Sequence, residues 1–362
     1  MRLLIKKTLK KLGLWKFAQK ARQVSYHFNK QEMASDGNIE LPKTATIELT
    51  LKCNLNCKMC TQKEDRKLIK TDYSFKDFCK ILDNLGPSVN YLSFIGGEIF
   101  VHPDIFEILE ECQRRKIKVH LSTNATLLNE ERVKKLKKLK KTVRGIGVSI
   151  DGLPETHNMI RGSETAFERT AQALKMLSQD FSVSINTVLF KENLDQLLEI
   201  VDIFKKQGVQ NFSWQFEIFS TPQEILMSSR ALSIPLEDIS TEEKEETQYS
   251  FSHQKIEKLL KKVRSIKGIS FMIQPRVYDR HSLFYFNGSL RENVDVGCKD
   301  LFACRVDAQG NIIFCPIIKT KLGNLLEQPL SQIWNNNKFK KLRLDLLKNN
   351  LTPICKRCCR LG

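Results

Sequence analysis

The hydrophobic and polar positions between residues 44 and 219 follow two periods in alternation. Six short runs are rich in β-branched and aromatic residues: 44–51, 89–95, 117–123, 145–150, 181–190 and 212–219. Five segments between them place their apolar residues at helical spacing: 75–85, 105–116, 130–141, 166–179 and 194–207. This repeated strand–helix order predicts an α/β fold in which helices cover a parallel sheet. Six strands with right-handed crossovers predict a partial (β/α)6 barrel whose ligands bind at the carboxyl ends of the strands.

The hydrophobic pattern is different on the amino-terminal side of this predicted barrel core, which we place at residues 41–220. Residues 1–31 contain nine Lys or Arg and no acidic residue, and their apolar residues recur at near-helical spacing. We therefore predict a basic amphipathic helical segment at 1–40. Its two interpretations are a helix packed on the main domain and a peripheral contact of residues 1–30 with an anionic membrane surface.

The pattern also changes after residue 220. Ser, Thr, Glu and Gln dominate the next thirty or so residues, and a basic segment with helical spacing follows at 254–267. We predict a linker and an accessory helix at 221–290. Residues 291–362 are rich in cysteine and in turn-forming residues, which predicts a small second domain.

Composition and charge narrow the classes of protein that fit this pattern. Hydrophobic residues make up 41% of the 362 residues, which is too many for a disordered chain. The chain has no long apolar run and no cleavable secretory signal, so we expect a cytoplasmic protein, with the inner membrane surface as an alternative location. The 59 basic and 41 acidic residues give a net charge of +18, which suits an anionic partner. Nucleic acid is not expected, because the three tryptophans are scattered rather than set along a basic stripe.

Three of the eleven cysteines follow the first predicted strand directly. Cys53, Cys57 and Cys60 are separated by four and three residues, on a loop at the carboxyl end of that strand. No fourth Cys or His is near them in the sequence, whereas a structural zinc site needs four ligands. Three thiolates on a four-iron cluster, by contrast, leave one iron open to a small molecule.

This cysteine loop and several later segments resemble the radical S-adenosylmethionine (radical SAM) enzymes, whose signature is C-x3-C-x2-C after the first strand. After the second strand, Gly96-Gly97-Glu98 resembles the GGE motif of that family. Two further segments, at the ends of the third and fourth strands, resemble family motifs: Ser122-Thr123-Asn124 and Ser149-Ile150-Asp151-Gly152. The resemblance covers residues 44–219, and its motifs occur in the expected order on matching strand ends.

The resemblance implies a cofactor site at these strand ends. Cys53, Cys57 and Cys60 would hold a [4Fe-4S] cluster whose open iron binds exchangeable S-adenosylmethionine (SAM). Gly96 and Gly97 would let the backbone come close to the methionine amine of SAM.

Four further residues receive roles from the resemblance. Glu98 would either accept a hydrogen bond from the methionine amine or fix its own loop. Ser149 and Arg161 would bind the carboxylate of SAM, for which an arginine fork is suited. Asn186, on the fifth strand, is a candidate for the ribose or adenine. For Ser149, Asp151 and Asn186, ordinary strand-end capping is the alternative.

Six more cysteines lie near the carboxyl terminus: Cys298, Cys304, Cys315, Cys355, Cys358 and Cys359. The run RVDAQGNIIFC predicts a hairpin that turns at Gln309-Gly310. Together with the LGN segment at 322–324 and the closing C-x2-C, it resembles the shortened form of the SPASM domain of radical SAM enzymes.

The SPASM resemblance implies one auxiliary [4Fe-4S] cluster. Its four ligands would be Cys298, Cys315, Cys355 and Cys358. On residue type alone, zinc is the alternative metal for these cysteines. Cys304 is predicted as a buried thiol, and Cys359 is an alternative ligand to Cys358.

The resemblance as a whole implies a radical SAM oxidoreductase. A flavodoxin or ferredoxin would reduce the first cluster, SAM would be cleaved, and the resulting deoxyadenosyl radical would take a hydrogen atom from the substrate. We expect a peptide or protein substrate, with a small-molecule sugar or cyclitol as the alternative. The alternative of another class is a non-enzymatic iron–sulfur or zinc regulator. No side chain is assigned to handle the proton of the substrate.

Overall fold

The computed structural model describes Met33 and residues 36–68, 72–243, 251–294 and 296–361. Most of the basic helical segment predicted at 1–40 therefore lies outside the described residues, and so does all of its predicted membrane contact through residues 1–30. In the described ranges, no helix combines the length and the hydropathy that crossing a bilayer requires.

The six predicted strands form a continuous parallel sheet, and each strand pairs with the next one along the chain. The predicted α/β barrel is confirmed. The strands are β1 (Thr44–Glu48), β2 (Tyr91–Ile95), β3 (Lys118–Thr123), β4 (Val143–Ser149), β5 (Val183–Leu189) and β6 (Asn211–Phe216).

The five helices that the sequence predicts between these strands bury one apolar stripe each. In the helix at Phe75–Leu85, the buried residues Phe78, Ile81, Leu82 and Leu85 follow helical spacing, and a capping box between Ser74 and Asp77 begins the helix. The helices are α1 (Lys63–Leu68), α2 (Phe75–Leu85), α3 (Ile105–Arg114), α4 (Glu130–Lys138), α5 (Pro154–Arg161), α6 (Ala166–Leu177) and α7 (Leu197–Lys206).

The segment at 221–290, predicted as a linker with one helix, also adds a strand to the barrel. Its elements are β7 (Phe219–Ser220), α8 (Pro222–Leu232), β8 (Glu242–Glu243), α9 (His253–Ser265), β9 (Ser270–Gln274) and α10 (Tyr278–Phe286). β9 pairs in parallel with β6, and β7 pairs with β8 in a separate small sheet. Sequence analysis missed β9 because its run SFMIQ is short and does not alternate between apolar and polar residues.

The cysteine-rich carboxyl-terminal segment continues the same sheet. Its elements are α11 (Leu290–Asn293), β10 (Cys304–Val306), β11 (Asn311–Ile313), β12 (Lys321–Asn324), α12 (Leu330–Ile333) and α13 (Asn337–Lys348). β10 and β11 form the predicted antiparallel hairpin, with Gly310 at a φ of +81° in its turn. β10 also pairs in parallel with β1, so the strand order is β12-β11-β10-β1-β2-β3-β4-β5-β6-β9. The first cysteine loop and the carboxyl-terminal hairpin are therefore attached to neighbouring strands.

The residues just before β1 are held by the carboxyl-terminal segment. Trp334 Nε1 donates to the carbonyl of Glu40 at 2.8 Å, and Asn335 Nδ2 donates to the carbonyl of Ile39 at 2.9 Å. The buried guanidinium of Arg343 donates to the carbonyl of Gly37 and stacks against the Trp334 ring. Burial lowers the pKa of Arg343 to about 9.

Candidate active site

The first cysteine loop lies between β1 and α1, at the carboxyl end of β1. Its start is held by Thr50, whose hydroxyl accepts from the backbone N–H of Lys52 at 2.9 Å and donates to Asp72 at 2.7 Å. Cys57 is buried with Leu55 and Ala166 in a small apolar cluster that is separate from the main core. The other two thiols, Cys53 and Cys60, are half-buried and pack against this cluster. The structure thus brings the three cysteines to one apolar patch, as the spacing predicts.

Each thiol of this loop has a nitrogen donor beside it. The three contacts are Asn124 Nδ2 to Cys53 Sγ at 4.0 Å, Arg161 Nη1 to Cys57 Sγ at 3.7 Å, and Arg66 Nη2 to Cys60 Sγ at 2.6 Å. Burial raises the pKa of Cys53, while the Leu55 backbone N–H and the charge of Arg66 act in the opposite direction. Because cationic and N–H donors stabilise thiolates, this donor set fits a group that is bound by thiolate sulfur.

The second loop, residues 96–98 after β2, needs its two glycines to contact the first cysteine loop after β1. The N–H of Gly97 donates to the carbonyl of Thr50 at 2.7 Å, and the N–H of Glu98 donates to that of Lys52 at 2.9 Å. A Cβ on Gly96 would overlap the carbonyl oxygen of Thr50, and one on Gly97 would overlap that of Lys52. The close backbone approach that the structure shows is therefore to the loop that carries Cys53.

Replacing Gly97 by Ala should separate these two loops. The added Cβ would also lie 2.6 Å from the carbonyl oxygen of Leu51, and backbone carbonyls cannot rotate aside as side chains do. We expect a destabilisation of about 1–3 kcal/mol, as for other overpacked sites, and at least a tenfold lower rate of SAM cleavage. Chemical denaturation and 5′-deoxyadenosine analysis measure the two effects.

The matched control for Gly97→Ala is Gly86→Ala. Gly86 has a φ of +71°, and a Cβ there would meet no atom within 4 Å. This variant therefore carries backbone strain without a clash and should retain the SAM cleavage of the parent chain. Normal cleavage by Gly97→Ala would contradict the role that we give to the loop contact.

Glu98 is buried, and both of its carboxylate oxygens accept hydrogen bonds. One oxygen accepts from the Phe100 N–H at 3.1 Å and from the Thr123 hydroxyl at 2.7 Å, and the other accepts from the Asn124 N–H at 2.7 Å. Burial raises the pKa of Glu98, and these donors act against that rise. Of the two roles considered from the sequence, the structure supports the one in which Glu98 fixes its loop.

Arg161, at the carboxyl end of α5, connects the fourth strand end to the first cysteine loop. Its guanidinium lies 2.5 Å from the carboxylate of Asp151 and also contacts Cys57. The other Asp151 oxygen accepts from the Val188 N–H at 2.9 Å. His157 accepts from the Asp151 N–H, and burial lowers the pKa of this histidine to about 3, so it is neutral. A carboxylate brought to this arginine would therefore lie beside the cysteine loop.

The inner face of the barrel is lined by small polar side chains. Alternation along the strands and their pairing register place six of them on this face: Ser93, His120, Ser122, Ser184, Asn186 and Ser213. Ser149 pairs in register with Asn186, so these two candidates are neighbours on that face.

Gly147 makes room for the lumen side chains. A Cβ on this residue would lie 2.7 Å from Asn186 Nδ2, 3.2 Å from His120 Nε2 and 3.5 Å from Ser184 Oγ. The three side chains therefore converge above one glycine of β4. Burial lowers the pKa of His120 below its ordinary value of 6.5, so the imidazole is neutral at pH 7.

Four of the carboxyl-terminal cysteines line one cavity: Cys298, Cys315, Cys355 and Cys358. Apart from Asp300, which pairs with Arg360, the remaining lining residues are apolar: Phe314, Ile317, Ile318, Leu346, Leu351, Ile354 and Leu361. Burial raises the pKa of Cys315 to about 12, and a bound metal would be needed to deprotonate such a thiol. Four sulfurs in an apolar cavity fit an auxiliary cluster.

The two remaining carboxyl-terminal cysteines do not line this cavity. Cys304 lies on β10, paired in register with Ala45 of β1, and is fully buried in the main core. Cys359 is half-buried next to Cys358. The four cysteines that the SPASM resemblance selects all line this cavity, and the thiol of Cys359 lies beside it in contact with that of Cys358. Which of these two neighbours binds the cluster stays a prediction.

Sequence analysis missed Arg66. This residue lies on α1, six positions after Cys60, and its contact with that thiol is the shortest of the three donor contacts. A basic residue six positions after a thiol could have been predicted to contact it, because nearby cations stabilise thiolates. The signal is hidden by the number of Lys and Arg residues around it, among them Lys58, Lys63 and Lys67.

Known proteins share these features. Residues 47–204 match the radical SAM superfamily, and residues 298–359 match the iron–sulfur cluster-binding domain SPASM. The AdoMet-dependent heme synthase of Methanosarcina barkeri is 28% identical over 323 residues, which are 83% of this chain and 85% of that protein. The antilisterial bacteriocin subtilosin biosynthesis protein AlbA of Bacillus subtilis is 30% identical over 199 residues, which are 54% of this chain and 44% of that protein.

The fold is also found among solved structures. Streptococcus suis SuiB bound to the precursor peptide SuiA superposes with a TM-score of 0.65 and 20% sequence identity. The match covers 95% of this chain and 76% of the SuiB chain, so the barrel and the carboxyl-terminal segment are both part of the shared fold.

Proposed function

Because this chain is a radical SAM enzyme with a carboxyl-terminal SPASM domain, we propose that it removes hydrogen from a peptide or protein substrate. The lining of the barrel lumen carries the part of the proposal that concerns a neutral polar substrate, and the choice of a peptide over a sugar rests on two relatives. His120, Ser184 and Asn186 converge there as neutral hydrogen-bonding groups. The amide groups of a peptide are neutral donors and acceptors of the same kind.

The cofactors of this enzyme are SAM, a [4Fe-4S] cluster held by three cysteines, and an auxiliary iron–sulfur cluster. We propose Cys53, Cys57 and Cys60 as the ligands of the first cluster. For the auxiliary cluster we propose Cys298, Cys315, Cys355 and Cys358. When bound, the first cluster and SAM supply the radical that takes a hydrogen atom from the substrate.

The residues of the chain around the cofactors have separate tasks in this proposal. Arg161 and Arg66 stabilise thiolates. The guanidinium of Arg161 would also bind the carboxylate of SAM. Glu98 holds the second loop against the third strand end. Ser149 and Asn186 are proposed contacts of SAM on the lumen face, where substrate and cofactor have to meet.

Two relatives support a peptide substrate. AlbA is named for the biosynthesis of a bacteriocin, and SuiB was solved with a precursor peptide. We further propose that a flavodoxin or ferredoxin delivers the electron. The net charge of +18 suits an acidic redox partner.

A step of heme formation is the second candidate, because the heme synthase relative matches along most of both chains. Porphyrin precursors carry several carboxylates, which are best held by Lys or Arg. In β2–β6, away from the amino-terminal ends of the strands, no Lys or Arg occupies an inward-facing position. On the same face by register, Arg305 of β10 is already paired with Glu48 of β1 at 3.5 Å. The β2–β6 part of the lumen therefore favours a neutral polar substrate, either a peptide or the sugar or cyclitol alternative.

The test is anaerobic turnover with SAM and dithionite after cluster reconstitution. One set of reactions contains synthetic peptides whose sequences are encoded by short reading frames beside the gene. Parallel reactions contain Fe-coproporphyrin III or nucleotide sugars. We expect a peptide to stimulate 5′-deoxyadenosine formation and to lose two hydrogens. One would leave as an atom to the deoxyadenosyl radical, and the other would leave as a proton to solvent and an electron to the auxiliary cluster. The variant that lacks Cys53, Cys57 and Cys60 is the control for radical dependence. Consumption of the porphyrin or a sugar, with every peptide unchanged, would contradict a peptide substrate.

A further inference from the structure

The donors beside the three thiols differ in strength, and the strongest is the guanidinium of Arg66. We propose that Arg66 sets the reduction potential of the first cluster by donating a charge-assisted hydrogen bond to Cys60. This inference rests on the proposed assignment of Cys60 as a ligand of that cluster. Arg66 is a positioning residue in this proposal, since it acts through the sulfur rather than on the substrate.

The Arg66 side chain contacts the first cysteine loop at two points. Its Nη1 donates to the carbonyl of Leu55 at 3.2 Å, while Nη2 lies 2.6 Å from Cys60 Sγ. Leu55 itself is buried in the small apolar cluster under the loop. Because the guanidinium is planar, two contacts determine its orientation, and the fork is held towards the sulfur.

The other two donors are weaker by distance and by charge. Arg161 lies 3.7 Å from Cys57, and its charge is balanced by Asp151 at 2.5 Å. Asn124 is uncharged, lies 4.0 Å from Cys53 and also donates to Asn54. Arg66 therefore provides the shortest cationic contact to a sulfur of this loop.

The direction of the effect follows from charge. Hydrogen bonds to the ligand sulfurs and the local net charge tune the potentials of iron–sulfur clusters. Reduction adds one negative charge, so a cation beside a ligand sulfur stabilises the reduced form more than the oxidised form. Arg66 should therefore raise the potential and make the cluster easier to reduce.

The experiment compares Arg66→Gln, Arg66→Lys and a charge control. Lys63 lies on the same helix, and its ammonium contacts the carbonyl of Lys58 rather than a sulfur, so Lys63→Gln removes one charge without touching the thiols. Each protein is titrated with dithionite in the presence of redox dyes. The first cluster is identified as the one whose electron paramagnetic resonance signal changes on SAM addition, and the intensity of that signal is measured at each potential. This readout is independent of turnover.

We expect Arg66→Gln to lower the equilibrium constant for one-electron reduction about tenfold, which is ~59 mV. Arg66→Lys should have a smaller effect, because lysine keeps the charge but not the fork. A potential in Arg66→Gln equal to that in Lys63→Gln would overturn the inference. If Arg66→Gln does not retain its cluster, a potential in Arg66→Lys equal to that of the unmodified chain would overturn it equally, because lysine lacks the guanidinium fork. If Cys60→Ala retains the SAM-responsive signal, the ligand assignment fails instead.

Discussion

Joint replacement of Cys53, Cys57 and Cys60 by Ala is expected to abolish SAM cleavage and to remove about half of the bound iron. The three thiols lie on one loop, each beside a nitrogen donor, and the first cluster would lose every protein ligand that we propose for it. Iron and sulfide analysis after reconstitution, and 5′-deoxyadenosine after dithionite reduction, measure the two effects.

The barrel itself should survive this triple replacement. Cys57 packs in a small apolar cluster outside the main core, and Cys53 and Cys60 are only half-buried, so the far-ultraviolet circular dichroism should not change. Cys79→Ala is the control, since it removes a half-buried thiol from α2 and should leave both iron content and cleavage intact. SAM cleavage by the triple variant would mean that the first cluster is bound elsewhere.

The second large effect is expected from two neighbouring cysteines at the carboxyl terminus. Cys358→Ala should lose the auxiliary cluster, and with it about half of the iron, whereas Cys359→Ala should keep it. The reason is geometric: Cys358 lines the cavity with three other cysteines, and Cys359 does not. Iron content distinguishes the two variants, and both should still cleave SAM at the first cluster.

Loss of the auxiliary cluster should also destabilise the carboxyl-terminal segment. Metal binding contributes to folding when the ligands come from distant parts of the chain, and Cys298 forms an isolated antiparallel bridge with Leu361. Thermal unfolding of Cys358→Ala should therefore begin at a lower temperature than that of Cys359→Ala. If Cys359→Ala loses the iron instead, Cys359 is the fourth ligand, and the assignment of Cys358 from the cavity lining is wrong.

The barrel could be predicted from the sequence because its strands and helices have distinct local periods. The run VSINTVL of β5 begins with apolar–polar alternation and is rich in β-branched residues, and the buried residues of α2 follow helical spacing. The strand β9 could not be predicted in the same way. It pairs with β6 across about fifty intervening residues, and no local period reports such a contact.

The candidate site was predictable to a different degree. The cysteine loop and the GGE segment are continuous motifs, so they could be recognised by their resemblance to a known family, which implies their chemistry. The partners of their side chains could not, since the carboxylate of Glu98 is bound by Thr123 and Asn124, which follow another strand. The contact between Arg66 and Cys60 depends on where α1 begins and how it turns relative to the loop.

The order of the strands and helices, the spacing of the cysteines and the charge of the chain are determined by the sequence alone. They are sufficient for the fold class, and the resemblance of their motifs to a known family implies iron–sulfur and radical chemistry. The tertiary structure decided which four of six carboxyl-terminal cysteines share a cavity, and which polar side chains meet above Gly147. The physical reason is that periodicity and residue type act over a few neighbouring residues. Distances between side chains from different strands, in contrast, are set by register and packing across the whole sheet.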